Sequence, residues 1–319
     1  MQRVLITGGC GFVGTNLAKC LSAAGGYELT LLDNFSNAVL ENGHACRVIR
    51  GDIRDGEICA KAAKGQDAVV HLAAYTQVVE SLGNPAQCYA VNIQGTINLL
   101  EACRKHGVSR FAFASSNAAV GGQASAVSER TVATPMSPYG AAKLAGEALC
   151  SAYRHSYGIC PVALRFSNAY GPYCQKKSSV VAKFMRALID GKPLTIFGDG
   201  SQSRDFIHVA DLCQAIELCL SSPTSSVAGE IFQVATGIEI SVRGLIEVLA
   251  RVTGRQPQLR FEPARTGEIT KNSSDISKIR ARLGFTPMIG LEEGIRSLCQ
   301  WFQSSDVVSS APPLAASRS

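Results

Sequence analysis

The sequence predicts an α/β fold, a doubly wound parallel sheet joined to a smaller, discontinuous α/β unit. Three observations predict it. Through residue 167, short β-rich runs alternate with helical patterns, which implies a parallel sheet with helices on both faces. A glycine-spaced turn, TGGCGFVG at 7–14, sits where the first strand hands over to a helix. And 46% of the 319 residues are hydrophobic against 18% charged, enough to fill two domain-sized cores and too apolar for a disordered chain.

The strands are expected at 3–7 (RVLIT), 27–32 (YELTLL), 46–50 (CRVIR), 67–72 (DAVVHL), 110–114 (RFAFA) and 161–166 (PVALRF). Each is a short run rich in β-branched or aromatic residues. Between them lie helical patterns; in one, Ile93, Ile97, Leu100 and Cys103 recur along one face. After 167 the pattern loosens. Residues 168–177 are Gly/Pro/polar, and 191–206 reads as a glycine-rich loop around one short strand, LTIF. A helix follows with Val209, Leu212, Cys213, Ile216 and Leu220 on one face, then a Ser-rich linker, SSPTSS, and a strand near 231–235. Helices at about 241–253, 275–283 and 291–303 close the fold, and 304–319 is a low-complexity tail. The expected division is 1–167 plus about 207–236 for one domain, and about 168–206 plus 237–303 for the other.

Several classes of function are set aside. No apolar run reaches the ~18–20 residues of a membrane-spanning helix. The N-terminus, MQRVLITGG, reads straight into a strand rather than a signal peptide, so a cytoplasmic protein is expected. The twelve cysteines form no CxxC pair and sit mostly among apolar neighbours, as Cys103, Cys213 and Cys219 do, so neither a metal site nor a disulfide framework is expected. A net charge of +6 suits an anionic small ligand. No basic stripe with interleaved aromatics points to nucleic acid.

Gly8, Gly11 and Gly14 supply a tight turn and close backbone approach to a helix N-terminus, where unpaired N–H groups can receive a pyrophosphate. Asp33 ends the second strand 19 residues after Gly14. A carboxylate there accepts ribose hydroxyls and repels a 2′-phosphate, which favours NAD over NADP. Asp52, after the third strand, is within reach of an adenine in such an arrangement. The fold is therefore expected to be Rossmann-type.

In Ser137-Pro138-Tyr139-Gly140-Ala141-Ala142-Lys143, Ser at N-cap and Pro at N1 start a helix. Tyr139 and Lys143 then share one face. A neutral tyrosine is a poor base near pH 7, and a lysine ammonium one turn away, with a positive nicotinamide ring, favours its phenolate.

TGGCGFVG, the HLAA at 71–74, the ASS at 114–116 and YGAAK at 139–143 resemble an extended short-chain dehydrogenase/reductase. LRFSNAYGP (164–172), LTIFGDGSQSRDFIHVAD (194–211) and LGFTP…LEEGI (283–295) are similar to nucleotide-sugar epimerases and dehydratases. The likeness spans about residues 2–302. It implies NAD held by Gly8, Gly11, Phe12, Val13 and Gly14, with Asp33, Asn34, Asp52 and Ile53 at the adenosine. Leu72, Ala73 and Ala74 complete that shell, along with Tyr139 and Lys143.

The same resemblance makes Tyr139 the base, Lys143 its activator and Ser116 the hydroxyl on the reacting sugar oxygen. The family usually continues SS-x-x-V-Y-G, but Val120 stands here where a tyrosine is usual, and a one-residue slip would put Asn117 in place of Ser116. Dehydratases of this family carry an Asp–Glu pair just after the catalytic hydroxyl, and similar decarboxylases a Glu; this chain has Asn117 and Ala118. For a UDP-sugar substrate, the resemblance places Asn168, Arg204 and Arg265 at the diphosphate, Phe197 with Thr195 at the uracil and Glu268 at the ribose. Asn272 falls at a gate over the sugar's second carbon, where bulky Tyr excludes an N-acetyl group. Lys176-Lys177 reads either as a solvated pair or as a partner for a sugar carboxylate. Homodimerisation through the helices at about 88–106 and 138–157 is also implied. The expected activity is UDP-hexose 4-epimerisation, with UDP-glucuronate epimerisation or another NDP-sugar reaction as alternatives, and a non-catalytic NAD-binding scaffold last.

Overall fold

The computed structural model describes residues 1–39, 46–122, 126–264 and 270–304. In chain order the first part runs β1 (Gln2–Thr7), α1 (Phe12–Ala24), β2 (Tyr27–Asp33), β3 (Arg47–Arg50), α2 (Gly56–Ala63) and β4 (Ala68–His71). Next come α3 (Val78–Gly83), α4 (Pro85–Tyr89), α5 (Gly95–His106), β5 (Arg110–Ser116), α6 (Pro138–Tyr157) and β6 (Cys160–Phe166). Beyond these lie β7 (Asn168–Tyr170), α7 (Val180–Ile189), β8 (Leu194–Phe197), β9 (Ser203–His208), α8 (Val209–Ser221) and α9 (Thr224–Val227). The chain ends through β10 (Ile231–Val234), β11 (Glu239–Ser241), α10 (Val242–Thr253), β12 (Leu259–Glu262), α11 (Ser277–Leu283) and α12 (Leu291–Gln303).

Seven strands form one parallel sheet in the order β3-β2-β1-β4-β5-β6-β10. It is buried on both faces. Val4, Ile6 and Leu31 face one apolar cluster, while Leu5, Leu32 and Val69 face the other, as the period-2 geometry of strands requires. The strand order reverses between β1 and β4. In such sheets a ligand crevice opens at the carboxyl ends beside that reversal. Two smaller sheets, β11-β9-β7 and β12-β8, are built from strands of the second half, β7 among them.

The sequence expectations and the structure part in the second half. The region 191–206 is not all loop, because β9 begins at Ser203 and its Asp205 is fully buried. The Asp205 carboxylate accepts from Thr236 N–H and Oγ1 (2.9 and 2.7 Å) and from Gly237 N–H (2.8 Å), which is why a charged residue sits inside a strand. Helix α7 follows a polar lead that hides it in the sequence, although Val181, Phe184, Met185 and Leu188 bury one face. The Ser-rich linker contains the single turn of α9. The helix carrying Ile93 and Ile97 begins as a π-helical turn at 90–94 before α5. The tail expectation falls, apart from Ser304, outside the described residues.

Candidate active site

At the crevice, β1 ends in the glycine turn. Gly8 adopts φ +68°, and a Cβ there would stand 2.7 Å from the backbone N of Ala73, the residue leading away from β4. A Cβ on Gly14 would fall 2.2 Å from the carbonyl O of Gly8. Only glycine fits either place. Helix α1 starts at Phe12 with Gly11 as a cap lacking a side chain, so its first N–H groups are left for an anion.

Asp33, 8% exposed, closes the crevice from β2. Its Oδ2 accepts from Cys10 N–H (2.9 Å) and its Oδ1 from Phe35 N–H (2.7 Å), the latter made possible by a left-handed Phe35 at φ 63°. Asn34 donates to Asp52 (2.9 Å), and Arg54 forks onto the same carboxylate at 3.0 and 2.9 Å. These donors hold Asp52 well below the usual carboxylate range, chiefly through Arg54. Sequence reasoning did not name Arg54. Ile53 packs, buried, against Leu99 and Val69.

A buried relay of hydrogen bonds supports the Leu72–Ala73–Ala74 wall. Ala73 N–H donates to Thr7 Oγ1 (3.3 Å), and Thr96 Oγ1 donates to the Asn92 carbonyl (2.7 Å). His71 lies between the two hydroxyls, with Nδ1 2.8 Å from Thr7 and Nε2 3.0 Å from Thr96. The Thr96 hydroxyl proton is already given to Asn92, so Nε2–H must donate to Thr96, and Nδ1 accepts from Thr7. This fixes a neutral imidazole. Burial, then the Lys143 charge, push His71 down to about 3.

The last residues of β5 meet the start of α6. Ser137 caps Gly140 N–H at 3.1 Å, and Ser81 on α3 accepts from Tyr139 N–H at 3.3 Å. The Ser116 hydroxyl lies beside the Tyr139 phenol, close enough to lower its pKa. Burial pushes that phenol up to about 12, with Ser116 pulling it back. Lys143 is 3% exposed, donates to the Ala114 carbonyl at 2.7 Å, and has Nζ 5.8 Å from the centre of the Tyr139 ring. Burial brings it down to about 8. Ser116, Tyr139 and Lys143 therefore converge on one spot. Asn117, the other reading of the hydroxyl position, turns elsewhere: its Nδ2 donates to Ser274 Oγ (2.8 Å) and Asn272 Oδ1 (3.2 Å).

Across the crevice, Thr195, Phe197 and Arg204 line one cavity of about 140 Å³ with Ser178, Lys183 and Gln202. Asn168 lies apart, donating to the Asp205 carbonyl at 3.3 Å. Arg265 and Glu268 fall outside the described residues. The two lysines differ: Lys176 is exposed, as a solvated pair would be, while Lys177 is partly buried. Lys176 Nζ donates to the Ala38 carbonyl (2.5 Å), and Lys177 donates to the Ala169 carbonyl (3.1 Å) with Nζ 4.7 Å from the centre of the Phe12 ring.

A dinucleotide fits this site: the turn offers free N–H groups, Asp33 offers a ribose acceptor, and Tyr139 with Lys143 stands at the opposite side of the strand reversal. The profile of the NAD dependent epimerase/dehydratase family matches residues 4–235. A dTDP-glucose 4,6-dehydratase of Streptomyces niveus is 33% identical over 95% of this chain and 94% of its own. The UDP-glucose 4-epimerase of Thermus thermophilus, solved in complex with NAD, is 33% identical with a TM-score of 0.88, covering 95% of this chain and 100% of that one. A UDP-glucuronic acid 4-epimerase from Bacillus cereus, solved with UDP-glucuronic acid and NAD, is 30% identical with a TM-score of 0.89, covering 95% and 99%. This chain belongs to the NAD dependent epimerase/dehydratase family of extended short-chain dehydrogenases/reductases and is an enzyme whose cofactor is NAD.

Proposed function

We propose that the enzyme is a UDP-sugar 4-epimerase, interconverting UDP-glucose and UDP-galactose and also UDP-GlcNAc and UDP-GalNAc. The observation that carries this reading is the joining of Ser116, Tyr139 and Lys143 with no proton-transferring side chain at 117 or 118. The bound NAD, held by the glycine turn and Asp33, supplies a hydride acceptor and a positive charge beside the phenol. Tyr139 removes the 4-hydroxyl proton as the carbon 4 hydride departs, Ser116 holds the reacting oxygen, and Lys143 favours the phenolate. The 4-keto sugar then turns over in the pocket and regains hydride on its other face. No net oxidation occurs, so one retained NAD suffices. Dehydration needs a further acid and base, and neither an amide nor a methyl group at those places exchanges protons near neutral pH.

In this reading Phe197 and Thr195 take the uracil, Asn168, Arg204 and Arg265 the diphosphate, and Glu268 the ribose. Asn272 admits the acetamide: its Oδ1 is held by Asn117, which leaves its N–H groups to reach a substrate carbonyl. The two-part division carried forward is 1–167 plus about 207–236 against 168–206 plus 237–303, supported by β10 joining the large sheet. A homodimer through α5 and α6 is supported by Tyr157, exposed near the end of α6, and a cytoplasmic setting by twelve free thiols.

UDP-glucuronate is the second reading, favoured by the likeness to the Bacillus cereus enzyme. The Lys177 ammonium is already committed to the Ala169 carbonyl, which weighs against it. Incubation with UDP-glucose, UDP-GlcNAc and UDP-glucuronate, followed by NMR of the products, decides. Turnover of UDP-glucuronate more than about tenfold faster than both hexose pairs, ~1.4 kcal/mol in barrier, reverses the order. A 4-keto-6-deoxy product from UDP-glucose sinks the epimerase reading.

A further inference from the structure

Three successive residues at the end of β5 each meet the helix that carries the base. The Ala114 carbonyl accepts from Lys143 Nζ at 2.7 Å, Ser115 Oγ donates to Glu147 Oε1 at 2.5 Å, and Ser116 stands beside the Tyr139 phenol. Glu147 follows Lys143 by one helical turn and Tyr139 by two. From the other side Arg165, which pairs with Ser115 in the sheet register, forks onto the same carboxylate, Nε to Oε1 at 2.8 Å and Nη2 to Oε2 at 2.7 Å. The side chains of Arg165 and Glu147 are 4% and 2% exposed.

A buried ion pair is weak evidence for stability. Well-packed apolar side chains in place of a buried ion pair are often neutral or stabilising, because desolvation offsets the attraction. Arg165 also leaves Nη1 buried without a partner among the described residues. What the pair does have is position.

We propose that Glu147, clamped by Arg165, is a positioning residue that sets α6 against the end of β5 and so holds the Lys143 ammonium in place behind Tyr139. This rests on the reading of Tyr139 as base and Lys143 as its activator. Lys143 faces Tyr139 and Glu147 on its own helix, Cys88 on α4 and His71 on β4, with Arg165 behind Glu147. His71 is neutral, and burial pushes the Cys88 thiol up, so it carries no charge near pH 7. The carboxylate whose charge reaches Lys143 is that of Glu147, and it opposes the burial that draws the ammonium down.

The test uses the full chain with its bound NAD, labelled with ¹³C-lysine, and Lys143→Met to assign the resonance. In Glu147→Gln the Lys143 titration midpoint falls by about half a pH unit or more, since a negative neighbour is gone. The alkaline limb of kcat for UDP-glucose moves to lower pH with it, while KM stays within about twofold. Glu147→Asp keeps the charge and restores the midpoint. The paired swap Glu147→Leu with Arg165→Met preserves packing; it folds, retains NAD and shows a smaller fall in midpoint, because the Arg165 charge that repels Lys143 leaves with the carboxylate. An unchanged Lys143 titration in both the single and paired variants overturns the proposal. The NMR titration needs no turnover, so it stands apart from the catalytic reading, which fails instead if Tyr139→Phe remains active.

Discussion

The side of the crevice that takes the cofactor and the side proposed to take the sugar are built by different means. On the cofactor side, Val4, Leu5 and Ile6 are fully buried in a seven-stranded sheet, and the turn that follows them is shaped by backbone contacts at Gly8 and Gly14. On the sugar side, β8 and β12 are four-residue strands paired only with each other, and Leu259 and Phe261 remain 45% and 53% exposed. Its cavity is lined by side chains from loops and short elements: Ser178, Lys183, Gln202 and Arg204. A site made of backbone has little freedom to change its ligand. A site made of side chains on short elements changes its ligand one substitution at a time. This fits a family in which NAD is shared while glucose, glucuronate and dehydratase chemistry all appear among the similar proteins.

The substitution that cuts deepest lies where the two sides meet. Tyr139→Phe should lower kcat by ~10²–10⁴-fold, the usual share of a positioned general base, and leave NAD and UDP binding largely intact. Bound NAD is read by absorbance after denaturation and turnover by product NMR. Retention of more than about a tenth of wild-type activity means that the base lies elsewhere.

A second substitution tests the backbone claim alone. Gly14→Ala places a methyl group 2.2 Å from the Gly8 carbonyl, so the turn must open. The expected loss is ~1–3 kcal/mol of stability, as for other overpacked sites, together with most of the bound NAD. Purification with full NAD and an unchanged urea midpoint would show the turn to be more compliant than its contacts imply.

The same division explains what is legible in the sequence. Strands β1, β2, β4, β5 and β6 can be placed within about two residues because each is a buried run whose composition leaves no other choice. Tyr139 and Lys143 can be paired because helical spacing alone brings them together. β9 is not legible because Asp205 looks exposed until Thr236 and Gly237, some thirty residues on, bond to it. Arg165 escapes for a related reason, since its partner Glu147 lies on another element. Arg54 is only two residues from Asp52, but nothing in the run RGDIRD tells a carboxylate clamp from a solvated charge. Lys177 misleads in the opposite direction, since its partner is the Ala169 backbone carbonyl, which no motif announces, whereas Lys176 beside it is exposed.

Acid should distinguish the two buried histidines, His71 and His208. His71 has its pKa drawn down to about 3 when folded, against ~6.5 unfolded. Between those values the unfolded chain binds a proton that the folded chain refuses. Its contribution is therefore complete above pH 6.5 and is lost as pH falls toward 3. From pH 6.5 to 5 the loss approaches ~2 kcal/mol at ~1.4 kcal/mol per unit. His208, at the end of β9, is also drawn down by burial but is opposed by Asp211 and Glu293. Urea midpoints measured from pH 7 to 5 should lose most of their slope in His71→Gln and less in His208→Gln; equal slopes would remove the distinction.

The smallest expected effect addresses the sugar side by itself. Asn272 meets Asn117 through its Oδ1 at 3.2 Å, and Asn117 is in turn fixed to Ser274 at 2.8 Å. The Asn272 amide is thus oriented with its N–H groups free of that contact, as recognition of an acetamide carbonyl requires. Asn272→Tyr fills the space beside the sugar's second carbon and removes the amide donor. It should lower kcat/KM for UDP-GlcNAc and UDP-GalNAc about tenfold, ~1.4 kcal/mol, and leave the unacetylated pair within about twofold. NAD content and the urea midpoint should not move, because no cofactor contact and no part of the large sheet is touched. Parallel loss for both substrate pairs would mean that Asn272 supports the loop rather than selecting the sugar. A selective loss accompanied by loss of NAD would mean that the two sides of the crevice are mechanically coupled and that the contrast between them is too sharply drawn.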